Sequence, residues 1–329
     1  MKLRVLLLIS TAALCIAGCN DSQSILTPRG EESGRVALLA SILFIGAALI
    51  FIGVAAVALA AILGRGRLRR MLSTERLVVW AGLVFPLVTL AALLAYGLMI
   101  TRAGAGLSGE ADPFRIRVSG ELWWWRVVYR DGQGRTIESA NELRVPVGRP
   151  VEVELVSTNV IHSFWVPHFA GKLDMIPGRT NVLRLKANTP GISRGQCAEY
   201  CGGPHALMSL HVIAMPPREF DSWLQNEGGP ARAASAPAVE HGSQLFHASG
   251  CGACHTVRGT PAEGRIGPDL TRLGSRLAIA AATLPMTEAN LARWIRDSHQ
   301  IKPQNLMPPY GIFSNDELAA LSAYLASLR

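Results

Sequence analysis

"QCAEYCGGPHALM", residues 196–208, sets two cysteines, a histidine and a methionine within thirteen positions. Cys197 and Cys201 are four apart, His205 lies four further on, and Met208 three beyond that. Zinc motifs space their cysteines by two to four residues and then supply further Cys or His ligands. A thioether fits that pattern poorly, because it is a soft donor better matched to copper. His162 stands upstream in "STNVIHSFWVPHF" (157–169), at the end of an alternating stretch. A lone strand histidine is more often packing than ligand. With the later cluster it makes the set His…Cys-x3-Cys-x3-His-x2-Met. A mononuclear blue site needs one thiolate; two cysteines in one loop point to two coppers bridged by two sulfurs.

Around this cluster the pattern has period two. From Phe114 to about Ala214, runs such as "PVEVELVS" (150–157) and "NVLRLKAN" (181–188) alternate apolar and polar positions. Pro146, Gly148, Pro150, Pro177 and Gly178 punctuate them, as expected of a β-sandwich or barrel. "NEGGPARAASAPAV" (226–239) then reads as a flexible linker. The last ninety residues are helical in pattern, with Leu318, Leu321, Tyr324 and Leu325 at helical spacing. They contain "CGACH" (251–255), the attachment signature of a c-type haem. Cys251 and Cys254 would bond to the porphyrin edge and His255 would ligate the iron. A sixth ligand is expected downstream: Met307, in the proline-rich loop "KPQNLMPPYG", is the candidate, with Met286 in "TLPMTE" as its competitor.

The six cysteines divide between Cys15 and Cys19 near the N-terminus, the 196–208 cluster and the haem motif. None is left for a structural disulfide, so their use is chemical. Hydrophobic residues make up 49% of the 329, and the mean hydropathy of +0.26 is high for a soluble protein. The excess is local. Residues 36–63 carry no charge over 28 positions and residues 77–100 none over 24, each long enough to cross about 30 Å of hydrocarbon. Arg65, Arg67, Arg69, Arg70 and Arg76 lie between them, which places that loop in the cytoplasm and the rest of the chain outside. The net charge of +8 therefore reflects topology, and nucleic acid is excluded as a partner. "MKLRVLLLISTAALCIAGCN" reads as a secretory signal, too short to span a bilayer. "IAGC" (16–19) resembles a bacterial lipobox, making Cys19 a lipid anchor; an ordinary signal peptide is the alternative.

"IHSFWVP", "KLDMIPGR", "GQCAEYCG" and "PHALM" follow one another as in subunit II of the haem–copper cytochrome c oxidases, after a two-helix hairpin. The resemblance spans about residues 25–225. Residues 236–329 resemble a small class I cytochrome c, through "CGACH", "GPDL" (267–270) and the "MPP…ELAALSAYL" ending. Together they look like the caa-type arrangement, with cytochrome c fused to subunit II. The implied fold is a multi-domain membrane protein. It comprises a signal peptide (1–19), a transmembrane hairpin (20–106), an all-β cupredoxin-like sandwich (107–225), a linker (226–239) and a small all-α cytochrome c domain (240–329).

The resemblance also implies roles. Cys197 and Cys201 would bridge both coppers of a binuclear CuA centre. His162 and Met208 would complete one copper, and His205 with the backbone carbonyl of Glu199 the other. The Glu199 carboxylate would help bind magnesium or manganese shared with subunit I. "ELWWWRVVY" (121–129) matches the family's aromatic patch, with Trp123 where electrons arrive and Trp124 and Trp125 as packing. Asp174 and Arg179 would contact subunit I, whereas His168 and His211 match no ligand position. Implied partners are subunits I and III, the membrane, and a cytochrome c or quinol:cytochrome c reductase as donor. The implied activity is electron transfer from the fused haem through CuA to the oxygen-reducing site of subunit I, coupled to proton translocation.

Two departures from the family pattern stand out. Ser157, Thr158 and Asn159 precede His162, and Arg126 and Arg130 flank the aromatic patch, where other members carry an acidic dock. This agrees with a tethered haem as immediate donor. Leu77 stands where many members have a glutamate, with Glu75 nearby. A nitric oxide reductase subunit or a membrane-tethered copper–haem carrier are the alternatives. Quinol oxidase subunit II is excluded, since it lacks the copper ligands.

Overall fold

The alternation of "PVEVELVS" is realised as strand β5 (Val151–Ser157), whose Val151, Val153 and Leu155 face inward and are buried. A half-buried strand requires this pattern because successive side chains point to opposite faces. The computed structural model describes residues 21–105, 113–132, 134–231 and 236–329. The signal segment with Cys19, and the start of the sandwich domain at 107, lie outside the described residues.

The sandwich has two five-stranded sheets. The first runs β3 (Thr136–Ala140), β2 (Trp125–Arg130), β1 (Phe114–Gly120), β5 and β8 (Asn181–Leu185). The second runs β4 (Glu142–Pro146), β10 (Ser209–Met215), β9 (Gly191–Cys197), β6 (His162–Trp165) and β7 (Leu173–Met175). β1 pairs in parallel with β5 and β4 with β10; the other ladders are antiparallel. Trp125, Tyr129, Phe164, Leu155 and Leu210 fill the space between the sheets. Of the sequence run at 181–188, Leu185 is buried while Val182 stays exposed.

Two apolar helices form a unit of their own. One is α1 (Glu31–Leu63). The other begins as α3 (Glu75–Val79), passes through a π-type turn at Trp80–Val84 and continues as α4 (Phe85–Ala105), with the short α2 (Gly66–Leu72) before it. Both are long and apolar enough to cross a membrane. Large side chains such as Phe44, Phe51, Leu87 and Leu94 are exposed along them, the expected state for side chains that face lipid. Glu75 sits in the first turn of α3.

After α5 (Pro217–Glu227) the chain enters a helical domain at α6 (Pro237–Ala248), followed by α7 (Glu288–Arg296), α8 (Ser298–Ile301) and α9 (Asn315–Ser327). Leu318, Leu321, Tyr324 and Leu325 of α9 are all buried, against Phe246 of α6 and Leu291 and Ile295 of α7. Gly242 makes the α6–α9 approach possible, because a Cβ there would lie 2.0 Å from the Ala320 carbonyl oxygen. The domain is not wholly helical. Ala278–Ile279 pairs with Leu284–Pro285, enclosing a turn in which Ala280, Ala281 and Ala282 have φ of 53°, 58° and 58°. Each left-handed alanine costs about 1–2 kcal/mol, so surrounding contacts must hold the turn in place.

Candidate functional site

Pairing of β6 with β9 sets Phe164 opposite Cys197, which brings the His162 end of one strand beside the cysteine ending the other. The loop after β9 then returns through a short 3-10 turn, His205–Leu207, into β10. The result gathers the donors foreseen from spacing. His162 Nδ1 lies 3.8 Å from Cys197 Sγ, and Cys197 Sγ lies 3.8 Å from Cys201 Sγ. Cys201 Sγ is 3.5 Å from His205 Nδ1 and 4.0 Å from Met208 Sδ. Cys197 Sγ reaches the Glu199 carbonyl oxygen at 3.2 Å. His162, Cys197, Cys201 and Met208 are buried and His205 is half-buried.

The remaining contacts suit a metal. His162 Nε2 faces the Asn159 side-chain oxygen at 3.5 Å, which favours the proton there and leaves the Nδ1 lone pair toward the sulfurs. Gly120 leaves room for the ring, since a Cβ would lie 2.6 Å from it. The sulfurs of Cys197 and Cys201, 3.8 Å apart, share a hydrogen bond. Hydrogen bonding from Cys201 pulls Cys197 down to about 3, and the same contact with burial pushes Cys201 up. A cation between the sulfurs would replace the proton of that bond. Two thiolates, two imidazoles, a thioether and a carbonyl in one largely buried pocket fit copper. The Glu199 carboxyl is on an exposed residue and takes no part in this cluster.

A cavity of about 220 Å³ occupies the helical domain, with Cys251, Cys254 and His255 on its wall. Neither cysteine is in a disulfide. His255 Nδ1 donates to the Pro268 carbonyl at 2.8 Å, so Nε2 keeps its lone pair for iron. Gly267 lies flat against the ring; a Cβ there would be 2.5 Å from it. Met307 lines the cavity, whereas Met286 is not among the lining residues. Most of the rest of the wall is apolar, including Phe246, Leu270, Ile279 and Leu321, with Asn141, Arg276, Lys302 and Asn305 as its polar part, and these residues fit a haem c.

Trp123 belongs to both sites. It is buried, lines the haem cavity, and its indole Nε1 donates to the Cys201 carbonyl at 2.7 Å. Trp124 also lines the cavity, under the Arg126 guanidinium at 4.7 Å, while Trp125 is wholly within the sandwich core. Arg126 is held by Glu121 and Glu138 and donates to the Arg265 carbonyl of the helical domain at 2.8 Å. Trp123 and its neighbours are therefore covered by the chain's own helical domain. His168 is a packing residue, its Nδ1 2.8 Å from Ser193 Oγ. His211 lies outside the donor cluster.

One residue escaped sequence reasoning. Lys302, in the segment leading to Met307, is 3% exposed and donates to the carbonyls of Trp123 at 2.6 Å and Leu207 at 3.0 Å. Burial pushes its ammonium down to about 7. No motif marks it, because its partners are backbone atoms of another domain.

Known proteins resemble the two halves separately and together. The family model for the periplasmic domain of cytochrome c oxidase subunit II matches residues 126–215, and that for cytochrome c matches residues 239–329. Cytochrome c oxidase subunit 2 of Bacillus sp. (strain PS3) is 32% identical over 271 residues, covering 77% of this chain and 74% of that protein. The subunit 2 of Alkalihalophilus pseudofirmus is 39% identical over 214 residues, 65% of this chain and 61% of that protein, so the match spans less than two thirds of its length. Among solved structures, the periplasmic domain of subunit II of cytochrome oxidase from Bradyrhizobium japonicum is 32% identical. It covers 36% of this chain and 95% of its own, with a TM-score of 0.34.

Proposed function

Since this chain belongs to the cytochrome c oxidase subunit II family, with a cytochrome c domain at its C-terminus, we propose that it is the electron-accepting subunit of a respiratory oxidase. Electrons pass from the haem domain to a binuclear copper centre and on to the oxygen-reducing site of subunit I. The observation that carries this reading is the position of Trp123, which walls the haem cavity while hydrogen bonding to Cys201 of the copper cluster.

In this proposal Cys197 and Cys201 would be the thiolates shared by two coppers, with His162 and Met208 as donors to one and His205 and the Glu199 carbonyl as donors to the other. A bridged copper pair supplies one-electron chemistry with little change of geometry. The protein keeps it so: buried strand ends and a short loop give the donors little freedom to move. His255 and Met307 would hold the haem iron, and Cys251 and Cys254 would anchor the porphyrin edge. The Glu199 carboxylate, free of the copper cluster, is available to an ion shared with subunit I. Subunit III and a cytochrome c or quinol:cytochrome c reductase complete the chain of partners, and proton translocation belongs to the assembled complex. The arginine-rich loop at 65–76 faces the cytoplasm, both redox domains lie outside, and Cys19 carries a lipid.

The test uses the complex purified through this chain, with excess artificial reductant and an oxygen electrode. Rapid, cyanide-sensitive oxygen uptake is expected. Negligible uptake, with haem and copper still reduced, would transfer the assignment to nitric oxide or to a free-standing carrier. Paramagnetic resonance of the same sample should show the seven-line pattern of one electron shared by two coppers; a four-line pattern refutes the bridge.

A further inference from the structure

We infer that Lys302 is a positioning residue, a pin that holds the haem domain and the copper domain in one fixed register for electron transfer. The inference rests on the reading of the two centres above. Lys302 belongs to the haem domain, five residues before Met307, yet its ammonium enters the copper domain. Its two shortest bonds end on the carbonyls of Trp123 and of Leu207, the residue before Met208. A third, at 3.4 Å, returns to Ala280 of the left-handed turn. One buried cation thus ties together the tryptophan between the centres, the loop carrying a copper ligand, and the haem domain itself.

The left-handed turn shows that this contact is built. Its Ala281 carbonyl accepts from the Ser209 amide at 3.2 Å, and its Ala282 carbonyl from Arg194 at 3.2 Å. Thr283 Oγ1 donates to the Leu207 carbonyl at 3.3 Å, and Glu142 of β4 accepts from the Leu277 amide at 2.5 Å. Three consecutive alanines hold an unfavourable conformation, and in it the carbonyls of Ala281 and Ala282 meet donors of the sandwich.

The chemistry of the pin distinguishes it from an encounter surface. Docking of a mobile carrier relies on exposed charges, so it weakens as salt rises. The hydrogen-bond partners of Lys302 are carbonyl oxygens in a dry interface, which salt does not screen. The docked arrangement is therefore the resting one. The step it serves is transfer of one electron, with ferrous iron oxidised to ferric and one oxidised copper pair reduced, and no bond made or broken.

The experiment compares the wild-type complex with Lys302→Met and Lys302→Arg. A flash-activated soluble dye injects electrons into haem c, and reoxidation of that haem is followed optically. In the wild type the reoxidation should be first order and indifferent to ionic strength and added glycerol. Lys302→Met should slow it several-fold, since electron transfer weakens as the centres move apart, and make it sensitive to glycerol. Copper resonance and haem absorption should not change. Lys302→Arg, which keeps donors, should recover part of the rate. Independently, amide hydrogen exchange of the peptide containing Ser209 should rise in Lys302→Met while β5 stays protected. Unchanged rate and exchange in Lys302→Met, or a wild-type rate that falls with salt, would overturn the pin. If the wild-type copper spectrum is not that of a shared pair, the reading of the centres fails instead, and the exchange result alone decides for or against Lys302.

Discussion

In the sandwich, the donors around the copper site form one end of a core that extends well beyond them. β6 and β9 are paired, Trp125 and Phe164 pack edge to face at 5.6 Å behind them, and the two-sheet core continues well away from the loop. In the helical domain the functional site is the centre of the fold. Phe246, Leu291, Ile295 and Leu321 belong to its core and also line the cavity where the haem belongs. The first region positions a cofactor at its edge; the second is built around one. A large β-framework has apolar area to spare, whereas about ninety residues of short helices do not.

The contrast is most exposed by removing the haem anchors. Cys251→Ser with Cys254→Ser should abolish covalent haem and leave a hole of about 220 Å³, worth about 5 kcal/mol at the cost per volume measured for core cavities. Calorimetry of the whole chain should then lose the helical-domain transition while the sandwich transition persists. A stable, cooperative helical domain without haem would break the comparison.

The matching change in the sandwich should do far less to folding. Cys197→Ser replaces one buried sulfur by a smaller oxygen, and its effect on the sandwich transition should stay near 1 kcal/mol. The two-copper resonance should vanish altogether, because one thiolate cannot bridge as two do. Loss of the fold along with the spectrum would show that copper is structural there too.

The smallest effect sharpens the helical side. Ser314 caps α9, its hydroxyl accepting from the Glu317 amide at 3.3 Å while its own amide donates to the Glu317 carboxylate at 2.8 Å. Ser314→Ala should cost about 0.5–2 kcal/mol in the helical domain only. The Ser314 donors hold the Glu317 carboxyl below its ordinary 4.5. Its contribution is therefore complete above that value and lost as pH falls through the lowered one, and the variant should flatten the acid side of the stability profile.

Legibility differed by residue. The copper donors could be read because Cys197, Cys201, His205 and Met208 crowd into one loop, and soft ligands at such density have few other uses. "CGACH" was equally plain. Met307 was preferred to Met286 for its proline-rich loop, since both follow the haem motif, and the structure puts Met307 on the cavity wall. Trp123 was singled out by family resemblance alone, and its bond to the Cys201 carbonyl depends on a contact between residues 78 apart.

By itself, the sequence determined what is local in chemistry or periodic in pattern: two apolar spans, alternating strands, the amphipathic α9, and two sets of metal- and haem-binding side chains. The tertiary structure alone decided how the haem domain meets the sandwich. That meeting is made by Lys302 on backbone carbonyls and by a left-handed alanine turn. Every residue has a carbonyl, and alanine normally avoids such a turn. Neither leaves a mark on the order of amino acids until the chain is folded.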